Sequence, residues 1–232
     1  MDRFSTVGLV AAMESELELL QSSLEDAETI LFASGTCYKG RIGSHAVAAI
    51  LCGIGKVSAA LAVQELIDRI RPDCVINTGC AGGIAEGMKI GDIVVSDRVS
   101  EWDMDATAIG LPRGYICSLE TADIPADKAL ADRIASAVPE GMTVRTGRVV
   151  SGDQFVSRQE QRDIILEAFP DALCAEMEGA AVGHVCAQNR VPFCIIRCMS
   201  DTADHQSEVD YSEFSAEAGR TCNRILMKLL SD

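Results

Sequence analysis

No two of the ten cysteines form a C-x-x-C pair, and the chain has only three histidines, widely scattered. A zinc site built from closely spaced ligands is therefore not expected, and no metal is assigned. Cys194 and Cys198 share one strand-like run, where they would stand ~13 Å apart, too far to hold one ion. Cys52 and Cys74 also lie in apolar runs, where a thiol behaves as a small hydrophobe. Unpaired thiols in this number point to a reducing, cytoplasmic setting. Basic blocks are missing as well: 20 Lys and Arg against 35 Asp and Glu give a net charge of −15. That balance argues against nucleic acid or an anionic membrane as partner. No apolar run reaches the ~18–20 residues that span a bilayer. The apolar run within residues 1–16 is too short for a signal peptide and is followed by acids.

What is present suits a sizeable core. With 48% hydrophobic residues in 232, the chain reads as one α/β domain over residues 1–232, without repeats or linkers. Thr6 to Ala12 is an apolar strand; Leu17, Leu20 and Leu24 then recur at helical spacing, with Ser15 as N-cap. Glu14, Glu16 and Glu18 suit the positive end of that helix, a bland explanation for acids there, while the place of Glu16 directly after the first strand favours a functional role for it. Ile30 to Leu51 reads as two or three strands. Gly53-Ile54-Gly55-Lys56-Val57-Ser58 opens a helix that runs to about Arg69; it lacks the third glycine of a dinucleotide fingerprint and the spacing of a P-loop. It reads as a tight turn whose backbone approaches a ligand. Cys74 to Thr78 is a buried strand delivered into Gly79-Cys80-Ala81-Gly82-Gly83, either a plain turn or a loop kept bare for a ligand. Asp92 to Ser96 is another strand, Val99 to Pro125 an irregular stretch carrying Trp102, and Asp127 to Val138 a helix. Thr143 to Ser151 is a strand ending near Phe155, which could stack on a base or be an ordinary core residue. A helix over Ser157 to Phe169 and one over Asp210 to Leu230 complete the pattern. Strands alternating with helices predict a doubly wound domain with a central mixed, twisted sheet flanked by helices.

The stretch from Leu173 to Asp204 is the most informative. It holds Glu176-Met177-Glu178, a short helical segment, a buried strand over Val191 to Met199 that includes Arg197, then Ser200-Asp201. Ligands of parallel α/β sheets sit at the carboxyl ends of strands. Glu16, the segment from Gly79 to Gly83, Phe155 with Glu178, and Asp201 all fall at such ends. One carboxyl to protonate a leaving group and another to activate water is what glycosidic hydrolysis requires.

Several motifs, in order, extend this reading: Ala12-Met13-Glu14-Ser15-Glu16, Gly53-Ile54-Gly55-Lys56-Val57, Asn77-Thr78-Gly79-Cys80-Ala81-Gly82-Gly83, Gly91-Asp92-Ile93-Val94-Val95-Ser96-Asp97, Ser151-Gly152-Asp153, Glu176-Met177-Glu178 and Ser200-Asp201. Over nearly its whole length the chain resembles the methylthioadenosine/adenosylhomocysteine nucleosidases of the purine nucleoside phosphorylase superfamily. The resemblance implies irreversible cleavage of the adenine–ribose bond in methionine salvage, with no cofactor. It makes Glu16 the general base, Asp201 the acid that protonates N7 of adenine, and Arg197 the arginine near the water and the carboxylates. Glu178 and the Met177 backbone would bind the ribose, and Phe155 and Val156 the base. The resemblance also brings Cys80, Ala81, Gly82 and Ser200 to the site. Met13, Ile54 and Tyr211 would line the 5'-alkylthio pocket. A homodimer is implied, in which Ala106 and Ile109 close the partner's pocket. Cys80 departs from the family's serine, and Tyr211 from its commoner phenylalanine.

Burial beside Cys194, Ile195, Ile196 and Cys198 would raise the pKa of Asp201 and let it act as an acid. Glu16 should stay ionised among polar groups, with Arg197 the obvious candidate. Residues 13–24 carry no basic residue, which favours a hydrolase over a phosphorylase. The competing expectations are a futalosine-type hydrolase and, from another class, a non-catalytic nucleoside-binding protein.

Overall fold

The computed structural model describes residues 4–203 and 207–231; Asp204, the last residue of the stretch singled out above, lies outside them. The strands are β1 (Thr6–Ala11), β2 (Glu25–Phe32), β3 (Gly35–Ile42), β4 (His45–Leu51), β5 (Cys74–Gly83), β6 (Ile93–Glu101), β7 (Ile124–Pro125), β8 (Val144–Ser151), β9 (Ala172–Glu176) and β10 (Phe193–Asp201). The helices are α1 (Glu18–Ser22), α2 (Lys56–Ile70), α3 (Lys128–Ala137), α4 (Gln159–Ala168), α5 (Gly179–Asn189) and α6 (Ser207–Ser231). All these strands join one mixed sheet. Helices cover both faces: α3, α6 and the entry to α1 contribute Leu17, Leu130, Ile134, Ile225 and Leu226 to one apolar cluster. On the other face α2 and α5 contribute Val63, Leu66, Val182 and Cys186.

The sheet combines an open wing with a closed ring. Beyond β1 the order is β4, β3, β2, and the outer strand β2 exposes Glu25, Asp26 and Glu28, charges that discourage edge pairing. On the other side β5, β9, β8, β6 and β10 follow one another, and β10 returns to pair with β5. β5 therefore meets β10 on one edge and two successive strands on the other. It pairs with β1 over 74–77 and with β9 over 82–83. Between those pairings lies a short length of β5, residues 78–81, with neither β1 nor β9 beside it. The site is built there.

Three expectations change. Gly79 to Gly83 is neither a turn nor a loop but the second half of β5, because β10 pairs with it through Gly82. Ser15 is not a cap: a 3-10 turn spans Glu14–Glu16 after Met13, and α1 begins only at Glu18. The reason is Glu16, whose Oε2 accepts the amides of Ala12 and Met13 at 3.0 Å each and tightens the chain there. The region from Val99 to Pro125 is partly regular, since β6 extends to Glu101 and β7 pairs with it. All ten cysteines are reduced, and most are buried as small apolar groups.

Candidate active site

A cavity of about 470 Å³ opens at the break in β5, within the usual range for a small-molecule pocket. Of the residues expected at the site, Met13, Glu16, Ile54, Cys80, Ala81, Gly82, Phe155, Val156, Met177, Glu178, Ser200, Asp201 and Tyr211 all line it.

Glu16 fills the gap beside β5. With β1 gone by residue 80, the Cys80 amide has no strand partner on that edge and donates instead to Glu16 Oε1 at 3.0 Å. The Cys80 thiol adds a weak contact at 3.5 Å. A side chain at Gly79 would put its Cβ 2.5 Å from Glu16 Oε1, so the bareness of this strand serves the protein's own carboxylate. Gly82 plays the same part for Asp201, whose Oδ1 would stand 2.6 Å from a Cβ there. Asp201 is buried at the end of β10; it accepts the Ala203 amide at 2.8 Å and the Ser200 hydroxyl at 3.0 Å.

Burial raises the pKa of Glu16, opposed by the field of Arg197 and by the amides of Cys80, Met13 and Ala12. The polar surroundings expected for Glu16 are present, but its carboxylate is harder to ionise than a free one. Glu178 is raised by burial, then by the neighbouring Glu176, against the attraction of Arg197. Its Oε1 accepts the Gly55 amide at 2.8 Å, which identifies the ligand of that glycine-flanked turn as a carboxylate of the protein itself.

Arg197 does not line the cavity. It is fully buried behind the wall, with its guanidinium hydrogen-bonded to Glu176 and Asn77 and 4.0 Å from Glu178. Glu176 in turn accepts the Ser151 hydroxyl and the amides of Glu178 and Gly179, so one buried carboxylate sets the arginine and the start of α5. Glu176, Gln154, Ala12 and Ala175 also line the cavity and were not anticipated. Glu176 was visible only as half of a Glu-x-Glu pair, and nothing in that spacing tells which carboxylate faces a ligand. Phe155 is 37% exposed and meets Tyr211 edge-on, centroids 5.3 Å apart, so it is a wall residue and not core. The Tyr211 hydroxyl reaches Met13 Sδ at 3.1 Å. Ala106 and Ile109 stay away from the cavity of their own chain, with Ile109 78% exposed.

Comparisons with known proteins agree with this geometry. The family model of the phosphorylase superfamily matches residues 6–231. A 5'-methylthioadenosine/S-adenosylhomocysteine nucleosidase of Haemophilus influenzae (strain PittGG) is 36% identical over 226 residues, 97% of this chain and 98% of that protein. The crystal structure of the nucleosidase from Neisseria meningitidis in complex with methylthio-immucillin-A superposes with a TM-score of 0.94 at 35% identity, covering 98% of this chain and 99% of the other. That of Colwellia psychrerythraea, in complex with adenine, gives 0.94 at 33% identity, covering 98% and 95%. The chain belongs to the phosphorylase superfamily and, within it, to the family of the 5'-methylthioadenosine/S-adenosylhomocysteine nucleosidases.

Proposed function

We propose that this protein hydrolyses the N-glycosidic bond of 5'-methylthioadenosine and S-adenosylhomocysteine, releasing adenine and the 5'-thio-substituted ribose. The observation that carries the chemistry is the pair of buried carboxylates, Glu16 and Asp201, seated on Gly79 and Gly82 of one strand inside one cavity. The two glycines are roughly 10 Å apart along an extended strand, so the two carboxylates meet β5 at separate points. In this reading Glu16 draws a proton from the attacking water as the bond to adenine breaks. Asp201 delivers a proton to N7, so the base leaves neutral. Glu178 holds the ribose hydroxyls beside the Met177 backbone. Phe155 stacks on adenine, with the Val156 backbone at the base edge. Met13, Ile54 and Tyr211 take the alkylthio group. Arg197, held by Glu176, acts on Glu16 and Glu178 through its field.

The whole chain serves as one catalytic domain in this reading. It forms a homodimer, supported by exposed Ile54 just before α2, by Val57 and Leu61 on its first turns and by the outward Ile109, with Ala106 and Ile109 completing the partner's 5' pocket. The reduced cysteines suit the cytoplasm, where such a reaction would serve methionine salvage.

The test is release of base from methylthioadenosine, adenosylhomocysteine, inosine and aminofutalosine, each with and without phosphate. Adenine from the first two at a rate indifferent to phosphate is the expected result. Phosphate-dependent turnover, or release from the futalosine substrate alone, would overturn the reading.

A further inference from the structure

Lys56 follows the turn that faces Glu178, and its side chain points away from the cavity. Its Nζ lies 3.0 Å from Glu101 Oε2 and 2.5 Å from Asp103 Oδ1, with all three side chains largely buried. Asp103 Oδ2 accepts the Asp153 amide at 2.8 Å, and Asp153 Oδ1 accepts the Lys56 amide, also at 2.8 Å. Three residues thus close a ring in which Lys56 takes part through both its side chain and its backbone. The ring joins two walls of the site. On one side, the residue before Lys56 is Gly55, whose amide meets Glu178. On the other, Asp153 lies two residues before Phe155.

The turn needs such a clamp. Gly55 has φ +100°, a conformation open to glycine and of little intrinsic stiffness. The Gly55 carbonyl accepts the Ala59 amide at 3.0 Å as α2 starts, and the Gly53 carbonyl accepts the Cys52 thiol at 3.1 Å; the bonds that tie the turn to the base-stacking loop are those of Lys56 and Asp153. Burial pulls the pKa of Lys56 down, but its bonds to Asp103 and Glu101 outweigh this and keep the ammonium charged.

Taking Glu178 as the ribose-binding carboxylate, we propose that Lys56 is a positioning residue that aims the Gly55 amide at Glu178 and ties the ribose wall to the base-stacking loop. The titratable and charged groups that face Glu178 are Glu176, Arg197, Glu16, Cys52 and Tyr211, with Gly55 the amide donor. Those that face Lys56 are Glu101 and Asp103, Glu101 being further bonded to His184 at 2.9 Å. The Gly55 amide favours the ionised form of Glu178, so a loosened turn leaves that carboxylate easier to protonate.

The experiment compares Lys56→Met, Lys56→Arg and Asp153→Ala with wild type, using methylthioadenosine kinetics from pH 5 to 9 and thermal unfolding. Lys56→Met and Asp153→Ala should each raise KM about tenfold with kcat nearly kept, as when an interaction is removed equally from ground and transition states. The acid limb of kcat/KM should move upward by about half a unit. Lys56→Arg, which can still bridge both carboxylates, should recover most of the KM. Asp153 is exposed, so its variant spares the core and decides the matter if Lys56→Met does not fold. A lower melting temperature with KM and acid limb unmoved would assign Lys56 a structural role and overturn the inference alone. A wild-type protein that releases no adenine would overturn the nucleosidase reading and this inference with it.

Discussion

Glu178 is more than nine-tenths buried, lies next to another carboxylate, and has a pKa raised first by burial and then by Glu176. In the unfolded chain it titrates as an ordinary glutamate. Between that ordinary value and the raised one the folded state binds the extra proton, so Glu178 weakens the fold as pH rises through this window. Glu178→Gln, which keeps an oxygen to accept the Gly55 amide, should therefore melt higher than wild type at pH 8, by about 2–4 °C for each kcal/mol relieved. The gap should close at pH 4 to 5, where the native carboxyl is already protonated, and the variant's KM should be higher. Melting curves of both proteins at the two pH values check this; equal melting temperatures at pH 8 would mean that Glu178 carries no such penalty. At this scale the sequence was informative where a residue type has few uses. Glu16 and Asp201 stood out as acids at strand ends, and the cavity receives both. Arg197 was legible as a participant but not as one standing behind the wall, since that depends on Glu176 and Asn77 taking its guanidinium.

Among the elements, β5 carries most of the design. Its run of Gly79-Cys80-Ala81-Gly82-Gly83 suggested either a turn, which glycines in series often mark, or a loop kept bare for a ligand. The reason for the glycines is instead close approach: two carboxylates press onto an extended strand. That requirement comes from side chains far away in sequence, which no local propensity can encode. Gly79→Ala tests it. The new Cβ would stand 2.5 Å from Glu16 Oε1, so the carboxylate must swing off the Cys80 amide. We expect kcat to fall about a hundredfold, the lower range for loss of a positioned general base, with KM little changed and far-UV circular dichroism preserved. An unchanged kcat would show that Glu16 need not be held there. The helices were the most legible elements, since each carries an apolar stripe: α2, α3, α4 and α6 fall within a few residues of their expected limits. The start of α1 was misplaced because Glu16 caps its own entry while also facing the cavity, and either role alone would have explained its sequence position.

Over the whole molecule, the site exists because the sheet closes. Alternating strands and helices predicted a mixed sheet between helices, and the order within it carried no signal in periodicity. The pairing of β10 with β5 and β6, and the handover on β5 from β1 to β9, arise between segments that are mostly about 70 to 120 residues apart. Through them Glu16 and Asp201, one near each end of the chain, come to share one strand and one cavity. The central claim is that these two acids divide the labour, base on one side of the glycosidic bond and acid on the other. The measurement that bears on it most directly is adenine release from methylthioadenosine by Asp201→Asn in phosphate-free buffer, beside equilibrium binding of a non-hydrolysable nucleoside analogue. The account predicts that kcat falls by about 10³ or more, in the range of a lost general acid, while the analogue still binds. A variant that turns over adenine nucleosides at near the wild-type rate would contradict it.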